Sequence, residues 1–228
     1  MMAPVLAGED GERPRLSKAA VIDGALKLAD ADGLDTLTIR KLATHLGVTP
    51  MALYWHFRSK EELLDAVAYQ VWSEIDVNVD AGAPWTAQLR RMLESLVTVL
   101  RAHPAGFQLL SEHEIQNPAS LVATEIALEV LRTAGFDAKY ASAIARATLW
   151  AGLMLVRSEP GFEPGLSEAE RVELQRKNHI SLAMQPPDIY PRIVECATAI
   201  TDMKDLEFHY RLGVDMFIAG VESLAASR

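Results

Sequence analysis

Thr38–Lys60 reads TIRKLATHLGVTPMALYWHFRSK. The segment divides into two short helices around a tight corner, with a third beginning at its end. Thr38 offers an N-cap hydroxyl, and Leu42, Ala43 and Leu46 make an apolar stripe at helical spacing. Gly47 stops the first helix, because glycine takes the left-handed turn without steric cost. Val48 fills the corner. Thr49 caps a second helix whose first position is Pro50, where a missing N–H is harmless. Ser59 and Glu62 have the spacing of a capping box that opens the third helix. Two helices joined by a short turn with a glycine form the helix-turn-helix pattern.

The charge of the segment agrees with a nucleic-acid partner. No Asp or Glu occurs between Thr36 and Lys60, in a chain whose net charge is -9. Arg40, Lys41, Arg58 and Lys60 are basic, and His45 and His56 can donate hydrogen bonds. Carboxylates would repel DNA phosphates, so their local absence is informative. Tyr54, Trp55 and His56 follow one another on the second helix, and three consecutive helical residues cannot all face one core. Some of them point outward, where such side chains suit phosphate and groove contacts. An ordinary αα-hairpin with surface aromatics is the other reading of the same residues.

Outside the segment the chain is acidic. Residues 1–70 hold 8 Lys+Arg and 10 Asp+Glu, a net -2, which leaves -7 for residues 71–228. DNA binding is therefore expected to be salt-sensitive and to depend on local positioning. At 228 residues the chain can bury a sizeable core in one or two domains. It has no apolar run long enough to cross a membrane, and MMAPVLAGEDGERPR lacks the apolar core of a signal peptide. One cysteine, Cys196, rules out an intrachain disulfide or a CxxC site and reads as a small buried hydrophobe. These features point to a soluble, cytoplasmic protein.

The periodicity predicts an all-α chain. Residues 1–15 read as a disordered tail, 16–62 as the helix-turn-helix domain and 63–228 as a larger helical domain. The first helix is capped by Ser17, carries the stripe Val21, Ala25 and Leu28, and ends at Gly33. A further helix from Glu61 to about Ile75 has clean amphipathic spacing. Later helices are expected over Trp85–Ala102, about Gly106–His113, 118–133 and 138–157. Three more follow from Ser167 to about Ile180, over Arg192–Thr201 and from Asp205 to about Ala225. The 158–165 run, SEPGFEPG, is turn-rich, and Ser167 with Glu170 makes a second capping box. There is no nucleophile elbow, P-loop or HExxH, so an enzyme is not expected. Glu112-His113-Glu114 is the densest metal-like cluster, but adjacent helical residues diverge. No metal and no cofactor are expected.

The run VIDGALKLADADGLDTLTIRKLATHLGVTPMALYWHFRSKEELLDAVA resembles the N-terminal DNA-binding domain of the tetracycline-repressor (TetR) family. LYWHF at Leu53–Phe57 and KEELLDA at Lys60–Ala66 look like the tetracycline repressors themselves. Looser similarities run through the rest: His103-Pro104, the turn at Ala134–Phe136 and the final LGVDMFIAGVESL. The resemblance implies a homodimer that binds a palindromic double-stranded DNA operator and is released when a small-molecule effector enters the larger domain. It also implies that helix 138–157 and the last helix pair with their copies across the dimer. Gly152, Gly213 and Gly220 lie within those helices, where glycine costs about 1 kcal/mol relative to alanine. Close helix approach would explain them, whether across a dimer or inside one subunit.

Carried over by position, Thr49, Pro50, Met51 and Ala52 face the major groove, and Arg40 reaches a base or phosphate. Thr38 belongs to the same surface. Tyr54, Trp55, His56 and Lys60 hold the backbone. The leading positions lack a glutamine-like side chain for bidentate adenine contact, so a different operator is expected. In the drug-binding members a magnesium–tetracycline chelate meets His, Asn, Phe, His and Gln where this chain has Asp76, Met92, Leu96, Leu110 and Ala127. Magnesium–tetracycline is therefore not the expected effector. An apolar pocket of Met92, Leu96, Phe107, Leu110, Trp150 and Met154 would suit a hydrophobic molecule. A regulator or architectural protein with no effector, its larger domain filled solid, is the alternative.

Overall fold

The computed structural model describes residues 16–112, 117–159, 166–202 and 205–227. Among these every long element is an α-helix. The 1–15 tail, the side chains of the Glu112–Glu114 cluster and residues 160–165 of the SEPGFEPG run lie outside the described residues. α1 (Lys18–Asp32) starts where the Ser17 hydroxyl accepts the Ala20 N–H. A single 3-10 turn at Leu34–Thr36 leads to α2 (Ile39–Leu46), capped by Thr38. Gly47 closes α2 at φ 66°, ψ 31°, and α3 (Pro50–Tyr54) follows under its Thr49 cap. Leu42, Ala43, Leu53 and Phe57 are buried in one continuous cluster with Val21, Ala25 and Leu28 of α1. α1 and α2 approach closely at Gly24, where a Cβ would meet Leu46 Cδ2 at 2.7 Å.

α4 (Lys60–Glu74) is shared between the two halves of the molecule. It packs on α1 at one side and on α6 and α7 at the other. Its cap departs from the sequence expectation. Ser59 accepts the Glu62 N–H, but the Glu62 carboxylate accepts the Arg58 N–H at 2.8 Å, one residue short of a closed capping box. The second box is complete at Ser167 and Glu170.

α5 (Trp85–Ala102), α7 (Pro118–Thr133) and α8 (Ala138–Arg157) form the body, joined by the short α6 (Gly106–Glu112). The turn at Gly135 sends Phe136 inward, where its ring meets Trp85 edge to face at 5.8 Å. α11 (Leu206–Ala226) packs on α5 and α8. Arg90 and Arg101 tie α5 to it through Asp215 at 2.7 Å and Glu207 at 3.1 Å. α9 (Glu168–Ala183) and α10 (Pro191–Thr201) pack chiefly on each other. That explains one reversal: Cys196, on α10, is exposed rather than buried, since α10 has little but α9 to cover it.

The glycines resolve in favour of packing within one chain. A Cβ on Gly152 would lie 2.5 Å from Leu96 Cδ2 on α5, and one on Gly213 would lie 2.0 Å from Leu155 Cδ2 on α8. Only Gly220 of the three faces open space.

His103 joins the head to the body. His103, closing α5, places Nδ1 2.8 Å from Asp30 of α1 and Nε2 2.8 Å from Glu74 of α4. Asp30 also accepts the Ala105 N–H at 3.0 Å. Both ring nitrogens face carboxylates, so both bonds need the imidazolium. Burial opposes the charge on His103, but hydrogen bonds and attraction from Asp30 and Glu74 outweigh it and raise its pKa above 6.5. Burial pushes the Asp30 carboxyl upward from its ordinary value, with the hydrogen bonds from His103 and Ala105 holding it back. A raised histidine pKa gives stability that is whole below the unfolded value and is lost as pH rises through the folded one. Wild-type urea midpoints should therefore fall from about pH 6 to about pH 8, and His103→Gln should flatten that slope. Parallel slopes in the two proteins would count against the clamp.

Candidate DNA-reading head and effector cavity

The helix-turn-helix presents its expected residues to solvent. Thr38, Arg40, Thr49 and Pro50 are exposed. Met51 is 67% exposed, Tyr54 48% and Trp55 85%, whereas Leu53 and Phe57 on the opposite side are buried. Tyr54 is therefore not a core residue. Ala52, His56 and Lys60 are half-buried. The aromatic run is not wholly helical: α3 ends at Tyr54, and the Leu53 carbonyl accepts both the His56 and Phe57 N–H groups, at 2.9 and 3.0 Å. The chain leaves the helix there because Phe57 must reach the core before Ser59 starts α4. Trp55 and His56 thus sit on a turn between the helices.

Electrostatics divides the basic residues. Lys41 is tied to Asp32 at 2.8 Å and to the Thr36 hydroxyl at 2.9 Å, so its charge is spent locally. The Lys18 ammonium lies 4.9 Å from the centre of the Phe57 ring. Arg40, Arg58 and Lys60 have no ion-pair partner among the described residues. Counting charges along the sequence could not separate Lys41 from these three, because its partner lies in the preceding helix.

The body holds a partly open cavity of about 200 Å³. Trp72 and Ile75 form one wall, Met92 and Leu96 of α5 another. α7 contributes Ala123, Thr124, Ala127 and Leu128, and α8 contributes Ser142, Arg146 and Leu149. Of the six expected pocket residues, Met92 and Leu96 line it. Leu110 is wholly buried but does not, and Phe107 lies beside a different groove next to Asp30 and Asp35. Trp150 and Met154 turn outward at 40% and 44% exposure. The α8 residues that do line it, Ser142, Ala145, Arg146, Thr148 and Leu149, share one helical face turned away from Trp150 and Met154.

The cavity does not suit a magnesium chelate. Among the described residues lining it there is no carboxylate or imidazole. Asp76, at one of the drug-binding positions, is exposed and held by Arg91 at 2.7 Å, which lowers its pKa below 3.8. Met92, Leu96 and Ala127, at three others, give the wall no ligand for a hard cation.

A helix-turn-helix head, carried on a helix that also walls an apolar cavity in a second helical layer, defines a DNA-binding transcriptional regulator with an effector domain. Residues 21–67 match the family described as bacterial regulatory proteins, tetR family, and residues 80–225 the tetracyclin repressor-like C-terminal domain. The chain belongs to the TetR family of transcriptional regulators. It is 27% identical over 226 residues to the HTH-type transcriptional repressor DrrR1 of Streptomyces coeruleorubidus, covering 96% of this chain and 82% of that one. With an HTH-type transcriptional regulator of Saccharopolyspora erythraea it shares 32% over 124 residues, about half of either chain (54% and 52%). The Streptomyces coelicolor TetR family protein ActR, solved in complex with actinorhodin, superposes with a TM-score of 0.74 at 26% identity, covering 92% and 98% of the two chains.

Proposed function

We propose that this chain is a homodimeric repressor that holds a palindromic operator and releases it when a hydrophobic small molecule, other than magnesium–tetracycline, fills the cavity. The observation that carries the reading is α4. Its first residue, Lys60, stands beside the DNA-reading surface, and Trp72 near its far end is a wall of the cavity. A molecule seated against Trp72 bears on the same rigid element that sets the head's orientation. The reading with no effector needs a solid body, and a cavity of about 200 Å³ speaks against that.

The dimer is supported by unpartnered apolar stripes. Ala143, Ala147, Trp150 and Met154 are exposed at helical spacing on α8, and Phe208, Leu212, Met216, Gly220 and Leu224 on α11. An exposed patch of this kind marks an interface. Two-fold pairing through these faces would place two recognition helices for half-sites about 34–36 Å apart.

On the reading head, Pro50, Met51 and Ala52 at the start of α3 meet base edges, with thymine methyls suited to the two apolar side chains. Arg40 supplies a base or phosphate contact. Tyr54, Trp55, His56 and Lys60 grip phosphates, and Thr38 and Thr49 border them. Lys60→Ala should weaken operator binding about ten-fold and lower the slope of log K against log salt by about one for each protomer. An unchanged slope would remove Lys60 from the phosphate contacts.

The test of the whole reading is fluorescence anisotropy with DNA flanking the protein's own gene, against random competitor at fixed salt. Tight, competitor-resistant binding to a palindrome is expected. Binding no tighter than to random DNA, for flanking DNA and for sites selected from a random library, would overturn it.

A further inference from the structure

Ser142 and Thr148 both lie in the cavity wall, and their hydroxyl hydrogens are committed to the Ala138 and Ile144 carbonyls at 2.7 and 2.9 Å, so neither is a donor to an incoming group. Two donors remain without a partner among the described residues. One is the Arg146 guanidinium, the single charged group lining the cavity. The other is the Trp72 indole N–H, which is shut off from solvent and so from a molecule in the open cavity unless the ring shifts. The Thr124 hydroxyl, also in the wall, can turn to either role. The rest of the lining is aliphatic, with Met92 offering a polarizable surface to a ring.

We propose that the effector is an apolar organic anion, a fused-ring carboxylate or phenolate whose rings lie between Met92, Leu96 and Leu149 and whose charge is met by Arg146. The inference rests on the reading of the cavity as the effector site. Apolar cavities of about 150 Å³ admit benzene, so about 200 Å³ with one side open has room for fused rings. A cationic molecule would face an unpaired guanidinium with no carboxylate beside it among the described lining residues. A hydrocarbon would gain nothing from Arg146, whose charge would stay with solvent. In a chain of net charge -9 there are carboxylates in plenty to pair with an arginine. This one is left free, and a charge-assisted hydrogen bond to an anion is the strong interaction it can make.

The experiment compares 2-anthracenecarboxylic acid with 2-anthracenecarboxamide, which keep shape and exchange charge. Each is titrated into the full-length protein at neutral pH, by ligand fluorescence and by calorimetry. Wild type should prefer the acid by about ten-fold or more. Arg146→Gln, at an exposed position, should bring the two within about three-fold by weakening the acid alone. Trp72→Phe, which keeps an aromatic wall and leaves Arg146 in place, should leave the acid preference intact. Equal affinities in wild type, an acid preference that survives Arg146→Gln, or no binding of either probe would overturn the proposal. The parent reading fails differently. If the acid binds as described but leaves the operator complex intact, the ligand class stands and release by the cavity falls; if the operator complex forms but neither probe binds, the ligand class falls and the DNA-binding reading stands.

Discussion

Ala127→Trp should yield a repressor that binds its operator and does not let go. Ala127 is almost fully buried in α7 and forms part of the cavity wall. An indole there would occupy the space the effector needs. Overpacking of this kind costs about 1–3 kcal/mol where a core is already full, and less where a cavity accepts the added atoms. The head is untouched, since no residue of α1, α2 or α3 lines the cavity. Operator affinity is expected within about three-fold of wild type, while the concentration of any compound that releases wild type should rise about a hundred-fold, equivalent to about 2.7 kcal/mol of lost binding. Anisotropy titrations of the preformed operator complex measure both quantities. Release at the wild-type concentration would place the effector elsewhere.

The second large effect is on folding. Phe57 is 2% exposed, packed into the cluster that holds α1 to α3 together, with the Lys18 ammonium over its ring. Phe57→Ala should cost about 3–5 kcal/mol, a large share of what holds a domain folded. Thermal unfolding by circular dichroism should show an early transition or a lowered midpoint, and operator binding should fail at temperatures where wild type binds. Phe57→Leu, which keeps most of the volume, should cost less than about 1.5 kcal/mol and keep DNA binding. If the alanine variant melts with wild type, the ring is not the anchor described here.

How far the sequence foretold this architecture depends on which physical signal each element carries. Helix ends marked by side chains that satisfy backbone groups were legible: Ser17, Thr38, Thr49, Asn117 and Asp137 each accept a first-turn N–H. Ends decided by tertiary packing were not. α3 stops at Tyr54 because Phe57 must enter the core, which local propensity cannot express. The exposure of Tyr54 and Trp55 was legible because buried Leu53 and Phe57 on either side leave these large neighbours outside. The cavity was only half legible. Apolar composition told that α5, α7 and α8 bury surface, but not which side chains fail to meet, and a void is a property of mutual fit. Trp150 and Met154 are apolar and face outward, so reading them as lining mistook an unpartnered face for an interior one. Gly152 and Gly213 likewise needed coordinates to show that their partners are leucines of the same chain.

The single continuous α4 also sets the precision with which the molecule must be built. Its 15 residues span about 22 Å. Swinging it about 5° around the cavity end displaces the DNA end by about 2 Å over that length. A base-edge hydrogen bond tolerates about half an ångström. The pointer therefore has high gain, and gain amplifies noise as readily as signal. On the proposed reading, random wobble of a few degrees would blur recognition as effectively as an effector does, so angular stiffness at the pivot would govern how much transcription leaks. On the same reading Asp30, Glu74 and His103 would contribute to that stiffness together with the packing of α4, and none of the three lines the cavity or is among the residues proposed to meet DNA. Background expression would then be set at a place different from either inducibility or operator choice, and the three could be tuned apart.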